Sequence, residues 1–112
     1  MVRRSILAVA AVFMGMAVHA SRAAEAMPEY RLVLHNHAFA PATLRAPANT
    51  KFKVLVTNRE AVPAEFESSD FNREKIVLPN ATITVFIGPL DKGSYTFFND
   101  FDRTATGVLV VE

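Results

Sequence analysis

The sequence predicts an all-β sandwich preceded by a helical export signal. Three observations point there. Beyond residue 28 the apolar residues alternate with a period of two rather than 3.6. Turn-forming residues break these runs roughly every ten positions, the spacing of a sandwich or small barrel. Phenylalanines and tyrosines between Tyr30 and Phe101, among many Val, Leu and Ile, supply the material for a core.

The chain has 112 residues, the size of one domain. It opens with Arg3 and Arg4, an apolar run from Ile6 to Val18, and then small residues. That order of charged, apolar and small segments is a secretory signal peptide. The run falls short of the about 20 apolar residues of a membrane helix. Cleavage is expected between Ala20 and Ala26, so residues 1–24 are assigned to the signal and 28–112 to one domain. Export implies the periplasm. Residues 1–24 hold Arg3, Arg4 and Arg22 and no acids, so their removal turns a net charge of +1 into −2, nine basic against eleven acidic residues. A mildly acidic mature chain is a poor match for nucleic acid or an anionic membrane. With no cysteine, the domain must be held by its core alone, and thiolate chemistry is excluded.

Taken in order, YRLVLHN sets Tyr30, Leu32 and Leu34 against Arg31, Val33 and His35, and FKVLVTN sets Phe52, Val54 and Val56 against Lys53, Leu55 and Thr57. TITVFIG alternates Ile83, Val85 and Ile87 with Thr82, Thr84 and Phe86. SYTFFN alternates Tyr95, Phe97 and Asn99 with Ser94, Thr96 and Phe98, and GVLVVE closes the chain. Pro41, Pro47, Asn58, Pro63, Pro79-Asn80 and Pro89…Gly93 fall between these runs. SSDFNREK is the one place where a turn of helix fits, as a connection between strands.

Three clusters carry candidate chemistry. His35 and His37 share a side if their strand continues through them, and such a pair can grip one metal; two solvated imidazoles at a strand end are the plainer reading. Glu65 and Glu67 both face away from the core if Phe66 faces it. Carboxylates about 7 Å apart on one strand repel, cheaply in water, and in a concave site they attract a hard cation. Asp100 and Asp102 flank Phe101 after the most aromatic strand, where a polar loop cap is the plainer role. Asp70 and Glu74 read as a polar connection. No nucleophile triad, phosphate loop or H-E-x-x-H pattern is present.

From Tyr30 to Glu112 the chain resembles the cupredoxins, Greek-key β-sandwiches. FAPATLRAPANTKFKVLVTNREAVPAEFE, VLPNATITVFIGPLDKGSYTFF and GVLVVE carry the likeness. A blue copper centre needs two His, a Cys and a weak axial ligand. Here the first His of the pattern falls on Ala64 and the Cys on Asn99, and no His or Met follows. Blue-copper electron transfer is therefore disfavoured. EFES…REKIV, P-L-x-x-G-x-Y-x-F-F and D-F…T-G-x-L-V-V resemble more closely the cysteine-poor, cupredoxin-like periplasmic proteins of bacterial ferrous-iron uptake, the FtrB-like proteins related to the cupredoxin domain of EfeO.

That resemblance implies a carboxylate site for iron, with copper as the alternative, in place of blue copper. It also implies an FTR-type iron permease and a periplasmic copper- or iron-binding companion as partners. It brings Glu65 or Glu67 beside Asp100 and Asp102. The leading hypothesis from these residues is iron on the four carboxylates, with His35 or His37 as second-site copper or iron ligands. Oxidation of Fe2+ before transport is the activity the resemblance suggests. A non-catalytic copper or iron carrier and a metal-free interaction module are the alternatives. Arg103 is close enough in sequence to pair one of the four carboxylates and turn the site into a salt bridge.

Overall fold

The computed structural model describes residues 26–112, so the expected signal peptide lies outside the described residues. Nine strands follow in order: β1 Glu29–His35, β2 Ala38–Ala40, β3 Thr43–Ala46, β4 Phe52–Asn58, β5 Ala64–Ser68, β6 Arg73–Val77, β7 Thr82–Ile87, β8 Gly93–Asn99 and β9 Asp102–Val111. They form two sheets, β2-β1-β4-β7 and β3-β9-β8-β5-β6. β1 runs parallel to β4 and β3 to β9, while the other pairs are antiparallel. The all-β sandwich expected from the alternation is the observed fold.

In β1, β4, β7 and β8 the inward face is the apolar set the alternation assigns. Leu32 and Leu34 of β1, Phe52, Val54 and Val56 of β4, Val85 and Ile87 of β7, and Phe97 of β8 are all buried. Phe97 packs its ring at 5.2 Å from Phe39 and 5.5 Å from Phe66, giving the core an aromatic centre. Edge-to-face and offset pairs of this kind add to the area they bury. Gly107 lies opposite Phe97 in the β8–β9 ladder, and a Cβ there would overlap the Phe97 ring.

Two local expectations are corrected. SSDFNREK forms no helix. Ser69–Asn72 is a four-residue turn, and Arg73–Val77 pairs with β5 as a strand. Asn72 has φ 53°, which Asn tolerates better than most residues, and the Ser68 hydroxyl accepts the Phe71 N–H. Nor does the first strand run through His37. β1 stops at His35, and Asn36-His37, with φ 49° and 60°, make the two-residue turn into β2.

Candidate metal centre

Phe66 points into the core at 2% exposure, so its neighbours Glu65 and Glu67 project from the outer face of the five-stranded sheet. The β5–β6 hairpin sets Glu74 directly opposite Glu67. The other flank is made by the turn between β8 and β9. Asn99, 5% exposed, accepts the Glu65 N–H at 3.0 Å and the Phe101 N–H at 3.1 Å through its Oδ1. The Asp100 N–H donates to the Glu65 carbonyl at 2.9 Å. These bonds clip the turn to β5 and carry Asp100 to the two glutamates. Carboxylate oxygens of Glu65, Glu67 and Asp100 lie within 4.8 Å of one another.

Crowding shows in the proton affinities. Glu65 is pushed up to about 7 by a hydrogen bond to Glu74, by burial, and by repulsion from Glu74, Asp100 and Glu67. Burial and repulsion from Asp100 and Glu74 raise Glu67, and the Arg103 charge pulls it part of the way back. The Glu67 Oε2 is buried with no hydrogen-bond partner, which is costly for a carboxylate oxygen. Arg103 grips the Asp100 Oδ1 with Nη2 at 2.6 Å and Nε at 3.0 Å. Its guanidinium stands 4.9 Å from the Phe98 ring centroid.

Asp102 does not join this group, contrary to expectation. It opens β9 as the register partner of Asn99, on the far side of the turn residue Phe101 from Asp100. Its carboxylate accepts from the Thr104 hydroxyl at 2.6 Å and pairs with the His37 Nδ1. These contacts lower the Asp102 pKa and raise that of His37. The two histidines also part, because His35 ends β1 while His37 sits in the hairpin turn itself. His35 meets the Arg59 carbonyl beside Thr57 and Asn80, whereas His37 lines a cleft of about 760 Å³ with Glu60, Val62, Phe101 and Asp102. The Glu60 Oε1 accepts the His37 N–H at 2.6 Å.

Two contributors escaped the sequence reading. Glu74 enters through the β5–β6 register, and the one signal for it was a second acid just beyond a turn-forming Asn. Glu60 had no signal. Ala64 and Asn99, where the cupredoxin pattern places its first His and its Cys, are buried at 3% and 5% exposure. Neither offers an imidazole or a thiolate.

The chain matches the cupredoxin-like domain family over residues 6–111. An uncharacterised protein of Rickettsia prowazekii is 37% identical over 84 residues, covering 74% of this chain and 67% of that protein. Among solved structures, an auracyanin from Roseiflexus castenholzii superposes with a TM-score of 0.64 at 13% identity, over 75% of this chain and 96% of the other. Auracyanin A of Chloroflexus aurantiacus, a blue copper protein, gives 0.62 at 13% identity over 75% and 98%. A purple cupredoxin from Nitrosopumilus maritimus gives 0.58 at 18% identity over 74% and 99%. The sequence match and the shared sandwich agree, and the chain belongs to the cupredoxin-like domain family.

Proposed function

We propose that this protein is an exported metal-binding accessory of iron uptake, taking iron as cargo on Glu65, Glu67 and Asp100. The observation that carries the reading is the convergence of three carboxylates within 4.8 Å, one of which, Glu67, has a buried, unpartnered oxygen. An all-oxygen, anionic donor set suits a hard cation. The residues do not fit a blue copper centre, because Ala64 and Asn99 stand at its ligand positions and the chain has no cysteine. The sequence resemblance supports a periplasmic location and an FTR-type permease with a periplasmic companion as partners.

Anionic oxygen ligands favour Fe3+ over Fe2+, since the higher charge gains more from them. Binding therefore lowers the reduction potential of the cargo and promotes its oxidation by an external acceptor, dioxygen in the simplest assay. The chain's own part is to hold the carboxylates together and to release the proton kept by the Glu65–Glu74 pair. His37, held through Nδ1 by Asp102, keeps a set ring orientation of the kind seen in metal-ligating histidines, which makes it the better of the two for a second copper or iron site.

Calorimetric titration of the mature protein with Fe2+ under anaerobic conditions tests the reading. One equivalent should bind, and the Glu67→Gln/Asp100→Asn double variant should lose that binding. Retention of full affinity by the variant rejects the site. Oxygen-dependent loss of excess Fe2+ then separates a catalyst from a carrier, which stops after about one equivalent. The Arg103–Asp100 pair favours a second reading, a metal-free interaction module whose acids are neutralised internally. That reading requires no binding by either protein.

A further inference from the structure

We propose that Arg103 is a displaceable internal cation: its guanidinium occupies the outer carboxylate of the metal centre, and incoming metal must push it aside. The inference rests on the carboxylate site proposed above and adds the residue that sets its affinity and its charge preference.

The geometry is that of a counter-ion seated at the mouth of an anionic site. Two guanidinium nitrogens converge on the single Oδ1 of Asp100, the same carboxyl that completes the group with Glu65 and Glu67. The contact is therefore end-on rather than the two-oxygen fork that makes an arginine–carboxylate pair strongest. The Arg103 side chain is 72% exposed and only three residues from its partner, so it can swing into solvent without unpacking the core. Its stacking on Phe98 gives the head group a resting place over the same outer face. Glu67 senses the charge without a hydrogen bond to it, and its Oε2 stays unpartnered. One cation thus covers Asp100 and leaves the inner oxygen open.

Two consequences follow. Metal binding exchanges one cation for another, which keeps the affinity low enough for cargo to be passed on. Once displaced, the guanidinium stays tethered three residues from Asp100, and its positive charge still repels the bound ion in proportion to that ion's charge. At about 5 Å in a water-like dielectric this amounts to roughly a fourfold loss of affinity per unit of metal charge. Arg103 therefore weakens binding of a trivalent ion more than that of a divalent ion and helps the site let go of an oxidised cargo.

The test is calorimetry of the mature protein at about pH 8, above the folded Glu65 value of about 7, with Mn2+ and La3+ as redox-inert probes. The proteins are the wild type, Arg103→Gln, Arg103→Lys and Glu67→Gln. The expected result is a gain of about tenfold for Mn2+ and roughly fiftyfold for La3+ in Arg103→Gln. Arg103→Lys should stay near wild type, and Glu67→Gln should lose binding of both ions. Binding seen only in Arg103→Gln supports the proposal in its strongest form. If wild type binds and Glu67→Gln does not, yet Arg103→Gln shows no gain or the same gain for both ions, the role of Arg103 is overturned and the site stands. If neither wild type nor Arg103→Gln binds, or Glu67→Gln binds as wild type does, the site itself falls and the inference with it.

Discussion

The side chain of Asn99 holds the backbone of Glu65, its Oδ1 accepting the Glu65 N–H at 3.0 Å while also accepting the Phe101 N–H at 3.1 Å. One buried amide oxygen thus satisfies two donors and joins the strand that carries two carboxylates to the turn that carries the third. Asn99→Ala leaves both donors without this partner and opens a small void, so a loss of about 2–4 kcal/mol is expected in urea denaturation. Cation affinity should fall about tenfold or more, as when a supporting residue of a metal site is removed. Loss of stability with unchanged affinity would show that Asn99 only braces the fold.

Gly107→Ala is expected to destabilise the sandwich by about 1–3 kcal/mol, the usual effect of an added methyl in a filled core. The new Cβ would overlap the Phe97 ring, and that ring is held between Phe39 and Phe66. Phe97→Leu in the same chain should recover part of the loss. A double-mutant cycle on thermal unfolding measures it, and an additive result contradicts the clash.

Asp100 and Asp102 share Phe101 as their sequence neighbour, yet they serve different places. Asp100→Asn should weaken Mn2+ binding about tenfold, because it removes one of the converging carboxylates. Asp102→Asn should leave that affinity within about threefold, since a charge spaced away from the ion and screened by water matters little. It should instead lower the His37 pKa, readable by NMR titration of the ring, as its largest cause of elevation is removed. Equal loss of metal binding in both variants would contradict the separation.

This separation marks where the sequence stops being informative. Period-two alternation assigns the buried faces of β1, β4, β7 and β8 correctly, because one buried face is enough to enforce it. The resemblance to cupredoxins brings the Ala64–Glu67 segment and the Asn99–Asp102 turn to neighbouring places. Which aspartate turns toward the glutamates is decided by the two-residue turn at Asp100-Phe101, a matter of backbone dihedrals that no residue type announces. β2 and β3 escape notice because three and four residues are too few to show a period. Glu74 reads as a polar connection because its partner across β5 depends on the length of the Ser69–Asn72 turn. His35 and His37 part for a similar reason: Asn36 and His37 adopt left-handed dihedrals, and the strand ends before the pair can form.

The protonation of Glu65 gives the last prediction, and its sign follows from linkage. A carboxyl held at about 7 in the folded chain and near 4.5 when unfolded keeps a proton that the unfolded chain gives up. Its contribution is therefore present at acid pH and is lost as pH rises from 4.5 to about 7. His37, raised above 6.5 by Asp102, acts in the same direction, with stability present below 6.5 and lost as pH climbs through its folded value. Asp102, lowered from 3.8, works at the other end, its contribution disappearing as pH falls below 3.8. The metal-free protein should therefore melt highest between those ordinary Asp and His values and lose stability toward pH 8. Glu65→Gln should flatten the slope below pH 7, and His37→Gln the slope above 6.5. Metal reverses the trend, because a bound cation needs the Glu65 proton expelled. Mn2+ affinity should climb with pH and level off above about 7, with proton release visible as a buffer-dependent heat. A metal-free melting temperature that rises steadily from pH 5 to pH 8, or an Mn2+ affinity indifferent to pH, would remove Glu65 from the shared carboxylate cluster.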